Sequence, residues 1–150
     1  MIGDINFQIT HSPIDSAAEL IIDNLWKHNE QYAPVHIAPF LLSAVWQGET
    51  VAGLVARMWW DVLDIQYLWV AEPFRGQGTG RKLMLMAEQE ALKHECRLAT
   101  VDTFSCQAPA FYKKLGYEEY GALSGYAGRY TRHYMSKNLC LPEERWGLDP

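Results

Sequence analysis

At 150 residues, 49% hydrophobic and 21% charged, the chain can bury one continuous core and is too balanced in composition for disorder or a fibrous repeat. Its 18 acidic and 13 basic residues give a formal net charge of -5 with no dense run of Lys or Arg, which argues against nucleic acid as a partner. Cys96, Cys106 and Cys140 are odd in number and lack metal-ligand spacing, and no apolar stretch reaches the ~18 residues of a membrane span, so reduced thiols, no metal, no membrane partner and a cytoplasmic location are expected.

In chain order, residues 5–10 alternate apolar and polar side chains and predict a first strand. Ser12 and Pro13 then look like the N-cap and first position of a helix whose apolar face carries Ile14, Ala17, Ala18, Ile21, Leu25 and Trp26. Residues 39–47 and 50–60 are β-rich runs joined by a tight turn at Gly48-Glu49. A turn over 61–64 should lead into a central strand over 65–70. Strong helix formers over 81–94 place Leu83, Met86, Ala87 and Ala91 on one face. A strand over 97–104, a short helix over 108–115 stopped by Gly116, and strands over 117–121 and 130–136 complete the list.

Helices between strands call for crossovers, and consecutive strands call for antiparallel pairing. The expected fold is therefore α/β (α+β): a mixed, mostly antiparallel central sheet with helices on both faces. One domain is expected over 1–139, followed by a tail at 140–150 without periodicity.

The segment Arg75-Gly76-Gln77-Gly78-Thr79-Gly80-Arg81 lies between the central strand and the strongest helix, where unpaired N–H groups at a helix start can face an anion. Its spacing fits neither the P-loop nor the G-x-G-x-x-G dinucleotide motif, which counts against a generic nucleotide-binding domain, while a tight structural turn is the plainer alternative. Arg75-x-x-Gly78-x-Gly80 resembles the [QR]-x-x-G-x-[GA] loop of the GNAT superfamily of N-acetyltransferases, and Leu68-x-Val70-x-x-Pro73 precedes it as in that family. The run from Ala110 through Phe111, Tyr112, Leu115 and Gly116 to Tyr117 is similar to the family's second signature, so the resemblance spans 65–120.

That resemblance implies transfer of an acetyl group from acetyl-CoA to a primary amine of a small molecule or protein by direct attack in a ternary complex. The alternative is a non-catalytic acetyl-CoA-binding sensor or regulatory module. It implies that the N–H groups of Gly76, Gln77, Gly78, Thr79, Gly80 and Arg81, beside Arg75, bind the CoA pyrophosphate. The backbone of Leu68, Trp69 and Val70 would bond the pantetheine arm, at a bulge that splays this strand from residues 101–104. An N–H of Trp69 or Val70 would meet the oxyanion, and homodimers are frequent in the family.

Tyr112 matches the family position of a tyrosine that protonates the CoA thiolate, and a phenol with a pKa of about 10 lies near enough to a thiol for that transfer. An ordinary half-buried helix residue is the competing reading. Asp102 is the candidate base, with Asp61, Asp64, His133 and ordered water as alternatives. Gln107 would cap the short helix or touch the pantetheine arm. Trp59, Trp60, Tyr67, Trp69, Tyr126, Tyr130 and Tyr134 would line an acceptor pocket or simply pack the sheet, and the segments 28–38 and 121–129 would shape that pocket.

Overall fold

The computed structural model describes residues 3–11 and 16–139, so the predicted helix start at Ser12-Pro13 and the tail 140–150 lie outside the described residues. The chain falls into two units, Met1–Val35 and His36–Pro150. In the first, helix α1 (Ser16–Asn29) occupies the predicted helical stretch. Residues 3–11 form no strand, which corrects the expectation for 5–10. Alternation supplies an apolar face, but a strand also needs a partner for its N–H and C=O groups, and the sheet is built without this segment.

The second unit begins with three antiparallel strands: β1 (Ala38–Trp46), β2 (Glu49–Trp59) and β3 (Val62–Val70). Val45 pairs with Thr50 and Trp46 with Glu49, so the turn is Gln47-Gly48, one residue earlier than predicted. Both have positive φ, 49° and 80°, as a type I′ hairpin turn requires. The next turn is only Trp60-Asp61, and Val62, Leu63 and Asp64 are strand residues rather than the predicted turn. Leu63 is fully buried, and burying a leucine contributes about 2 kcal/mol, enough to extend the strand inward.

A short 3-10 turn (Glu72–Phe74) leads to α2 (Thr79–Lys93), then β4 (Leu98–Phe104), α3 (Pro109–Lys114), β5 (Glu118–Tyr126) and β6 (Tyr130–Asn138). β5 runs through most of the predicted loop 121–129. The sheet order is β1-β2-β3-β4-β6-β5, with β3 and β4 the one parallel pair among the described residues. One face is covered by α2, which buries Leu83, Met84, Ala87 and Ala91. Met84 replaces the predicted Met86, which is 45% exposed.

That helix also buries a charge. Glu88 accepts hydrogen bonds from the Tyr117 hydroxyl (3.1 Å) and the Lys137 ammonium (2.6 Å), tying α2 to the chain before β5 and to β6. Burial, and after it the Glu88 charge, pushes the Tyr117 phenol far above its ordinary range. A buried carboxylate is tolerated when both a donor and a counter-charge reach it. The network fixes the helix whose first turn builds the site.

Candidate active site

The site begins as a defect in the sheet. Val55 pairs with Tyr67 but Ala56 with Ile65, so Gln66 is an extra residue on β3, a bulge that bends the strand. Pairing with β4 ends at Ile65 and Val101, while β4 stays paired with β6 as far as Phe104 and Arg132. From residue 66 onward β3 therefore diverges from β4. A cleft of about 1380 Å³ opens between them and extends over the start of α2 and one side of α3.

Strand alternation decides which backbone groups face this cleft. The Ala71 N–H donates to the Val51 carbonyl on β2 at 2.8 Å, so Ala71 and, two residues back, Trp69 direct their backbone groups to β2. Val70 and Leu68 direct theirs to the opposite, splayed side. Of the two predicted oxyanion donors, the Val70 N–H is the one turned to the cleft. Trp69 and Tyr67 are nonetheless among the residues that line it.

At the cleft's other end the glycine loop turns into α2. Gly78 is the N-cap with φ 81°, and Gly76 has φ 75°; a Cβ on either would meet nothing within 4 Å, so the loop surface is open. The first intrahelical bond runs from the Lys82 N–H to the Gly78 carbonyl, leaving the N–H groups of Thr79, Gly80 and Arg81 without helical acceptors. No acidic residue occupies the first turn, and the helix dipole favours an anion there. Gly80 matters for packing instead, since a Cβ there would lie 3.4 Å from the Phe111 ring, and its absence lets α3 approach α2.

Two predicted loop residues bond back onto the chain that precedes the loop. The Arg75 Nε donates to the Val70 carbonyl at 2.8 Å, and the Gln77 amide donates to the Pro73 carbonyl at 3.2 Å. Gln107 does not cap α3, whose N-cap is Ala108. Its Oε1 accepts from the Thr103 hydroxyl (3.1 Å) and the Phe104 N–H (3.0 Å), because the chain reverses at 105–107 and brings the amide back onto the end of β4. It does line the cleft.

Tyr112 and Asp102 line the same cleft from α3 and β4. Tyr112 is 8% exposed, edge-on to the rings of Phe111 and Tyr117 at 5.0 and 6.0 Å. Burial raises its phenol pKa above the ordinary value, and the Asp102 charge adds to that. At neutral pH it carries its proton. Asp102 accepts from Arg132 through both oxygens, at 3.0 Å from Nε and 2.8 Å from Nη2. Arg132 also donates to the Tyr126 hydroxyl at 3.4 Å and lies over the Tyr134 ring at 5.0 Å. Its own pKa is pushed further up, chiefly by the Asp102 hydrogen bonds.

The alternative bases are placed differently. Asp64 lines the cleft but accepts from the Arg57 guanidinium (3.1 Å) and the Thr100 hydroxyl (3.4 Å). Asp61 and His133 are outside the lining residues, and His133 is hydrogen-bonded to Glu119. Trp59 and Trp60 pack on each other at 5.0 Å, and Tyr130 packs under Arg129. Arg132 is a lining residue that sequence reading missed; it sits in Thr131-Arg132-His133 with no motif, and only the β4–β6 register brings it beside Asp102. Among the described residues no group of His, Cys, Asp and Glu could hold a metal ion, and no helix is long and apolar enough to cross a membrane.

A model of the Acetyltransferase (GNAT) family matches residues 10–117. Blasticidin-S acetyltransferase of Streptomyces morookaense is 35% identical over 94 residues, which are 62% of this chain and 69% of that protein. The fold superposes on the crystal structure of an Agrobacterium tumefaciens protein described as an acetyltransferase, with a TM-score of 0.83 and 27% identity over 89% of this chain and 99% of that one. A Bacillus anthracis structure described as a streptothricin acetyltransferase, solved with acetyl coenzyme A, shares the fold at a TM-score of 0.61 and 18% identity, covering 67% of this chain and 62% of that one.

Proposed function

Because this chain belongs to the GNAT family of acetyltransferases, we propose that it moves the acetyl group of acetyl-CoA to a primary amine of a small molecule or protein, by direct attack in a ternary complex. The observation that carries this is the splay of β3 from β4, which turns the backbone of Leu68 and Val70 into a cleft ending at the open N-terminus of α2. That arrangement fits both parts of the cosubstrate. The amide-bearing pantetheine arm can pair with the exposed strand, and the pyrophosphate can sit on the N–H groups from Gly76 to Arg81.

Acetyl-CoA supplies the acetyl group already activated as a thioester. The Val70 N–H points to where negative charge develops on the carbonyl oxygen. Tyr112, held as a neutral phenol by burial, donates its proton to the departing thiolate. Asp102 stands at the acceptor end as the carboxylate that can receive the amine's proton. Both of its oxygens already accept from Arg132, which occupies the lone pairs an amine proton would need, so it contributes less than Tyr112.

Isothermal titration with acetyl-CoA tests the cofactor half. Gly78→Glu, which sets a carboxylate against the pyrophosphate, should weaken binding by roughly 100-fold, or ~3 kcal/mol, in a folded protein. CoA release with a panel of amines tests the rest. The Streptomyces morookaense relative puts blasticidin S first in that panel. A wild-type chain that fails to bind acetyl-CoA overturns the proposal.

A further inference from the structure

Arg75 is the first residue of the glycine-loop motif, and its charge suggests a phosphate ligand. Its geometry assigns it elsewhere. The Ala71 N–H is spent on β2, and in a trans peptide the preceding carbonyl points the opposite way, so the Val70 C=O faces the side from which β4 has departed. A strand carbonyl there lacks the donor that a parallel neighbour would give it. Arg75 supplies one, its Nε reaching back across the 3-10 turn to Val70 at 2.8 Å. The turn beneath is stitched by the Phe74 N–H to Ala71 and the Arg75 N–H to Glu72, at 2.9 and 3.2 Å.

We infer that Arg75 is a positioning residue: it pins the glycine loop to the splayed end of β3 through the Val70 carbonyl, and so aims the loop N–H groups without itself pairing with pyrophosphate. The inference rests on the acetyl-CoA reading of the cleft. It requires a donor at position 75 and does not require a charge. Glutamine can keep a neutral N–H within reach of Val70; methionine keeps the length and has no donor.

Amide hydrogen exchange of the ligand-free protein over residues 71–80, compared among wild type, Arg75→Gln and Arg75→Met, reads the pin directly. Arg75→Met should accelerate exchange at Phe74 and at the substituted position by about tenfold, and Arg75→Gln should stay within about threefold of wild type. Acetyl-CoA affinity should follow the same order, and its salt dependence should be unchanged in all three, because no charge contact to the ligand has been removed. Unchanged exchange in Arg75→Met overturns the inference. So does Arg75→Gln losing as much affinity as Arg75→Met with a flattened salt dependence, the signature of a lost phosphate contact. If methionine prevents folding, the glutamine comparison decides alone. Absence of wild-type binding would sink the acetyl-CoA reading, while exchange would still report whether Arg75 pins the loop.

Discussion

The two ends of the cleft are built on different plans. At the end proposed for the pyrophosphate, one contiguous stretch of chain, 75–81, offers backbone N–H groups, and its chemistry depends on where glycine lets the main chain go. At the end proposed for the acceptor amine, side chains gather from β4, α3, β5 and β6: Asp102, Tyr112 and Arg132 line the cleft, and Tyr126 accepts from Arg132. A backbone site tolerates many side chains and fails when its conformation is blocked. A side-chain site fails one functional group at a time, and removing each group should leave the other end working.

Tyr112→Phe puts that independence to its strongest test. Removing the phenol hydroxyl should lower kcat about 100-fold, the lower range for general acid catalysis, with acetyl-CoA affinity near wild type. Burial raises the Tyr112 pKa, so wild-type activity should fall only as pH rises above the ordinary tyrosine range, and this alkaline limb should vanish in the variant. Loss of acetyl-CoA binding in a folded Tyr112→Phe protein would break the comparison, since the two ends would then not be separable.

Asp102→Asn should cost less, within about tenfold in kcat/KM, because both carboxylate oxygens are already engaged by Arg132. The ion pair is part exposed, with side-chain exposures of 32% and 39%, so urea melts should register a loss of about 1 kcal/mol or less. A fall in kcat as deep as that of Tyr112→Phe would promote Asp102 to the principal base.

Gln107→Ala gives the smallest change. It removes two bonds that hold the end of β4 opposite Leu68 and Val70, and should raise the KM for acetyl-CoA about threefold, the equivalent of one modest hydrogen bond, with kcat kept. Steady-state kinetics at saturating acceptor would separate the two constants. A fall in kcat with unchanged KM would place Gln107 with the acceptor end.

Both ends rest on the same buried network. Glu88 on α2, Tyr117 and Lys137 tie the helix whose first turn is proposed to meet the pyrophosphate to the strand that carries Arg132. Nothing in the helix pattern singled out Glu88, because a glutamate beside Gln89 and Glu90 reads as a solvent-facing residue.

Reading the residues alone fixes the number, type and order of the elements from residue 38 onward, the strand–loop–helix setting of the glycine segment and the family that segment resembles. These are local matters, governed by period, turn residues and backbone freedom within a few positions. Packing and pairing decide the absence of a strand at 5–10, the inclusion of 62–64 in β3 and of 121–126 in β5, the burial of Met84 in place of Met86, the pairing of Asp102 with Arg132, and the bonds of Arg75 and Gln107 back onto the backbone. Each depends on which strand lies alongside which, and in what register. The bulge follows the same rule: the family resemblance implied one, but its position at Gln66 comes from the β2–β3 register, and no side chain in 65–70 announces it.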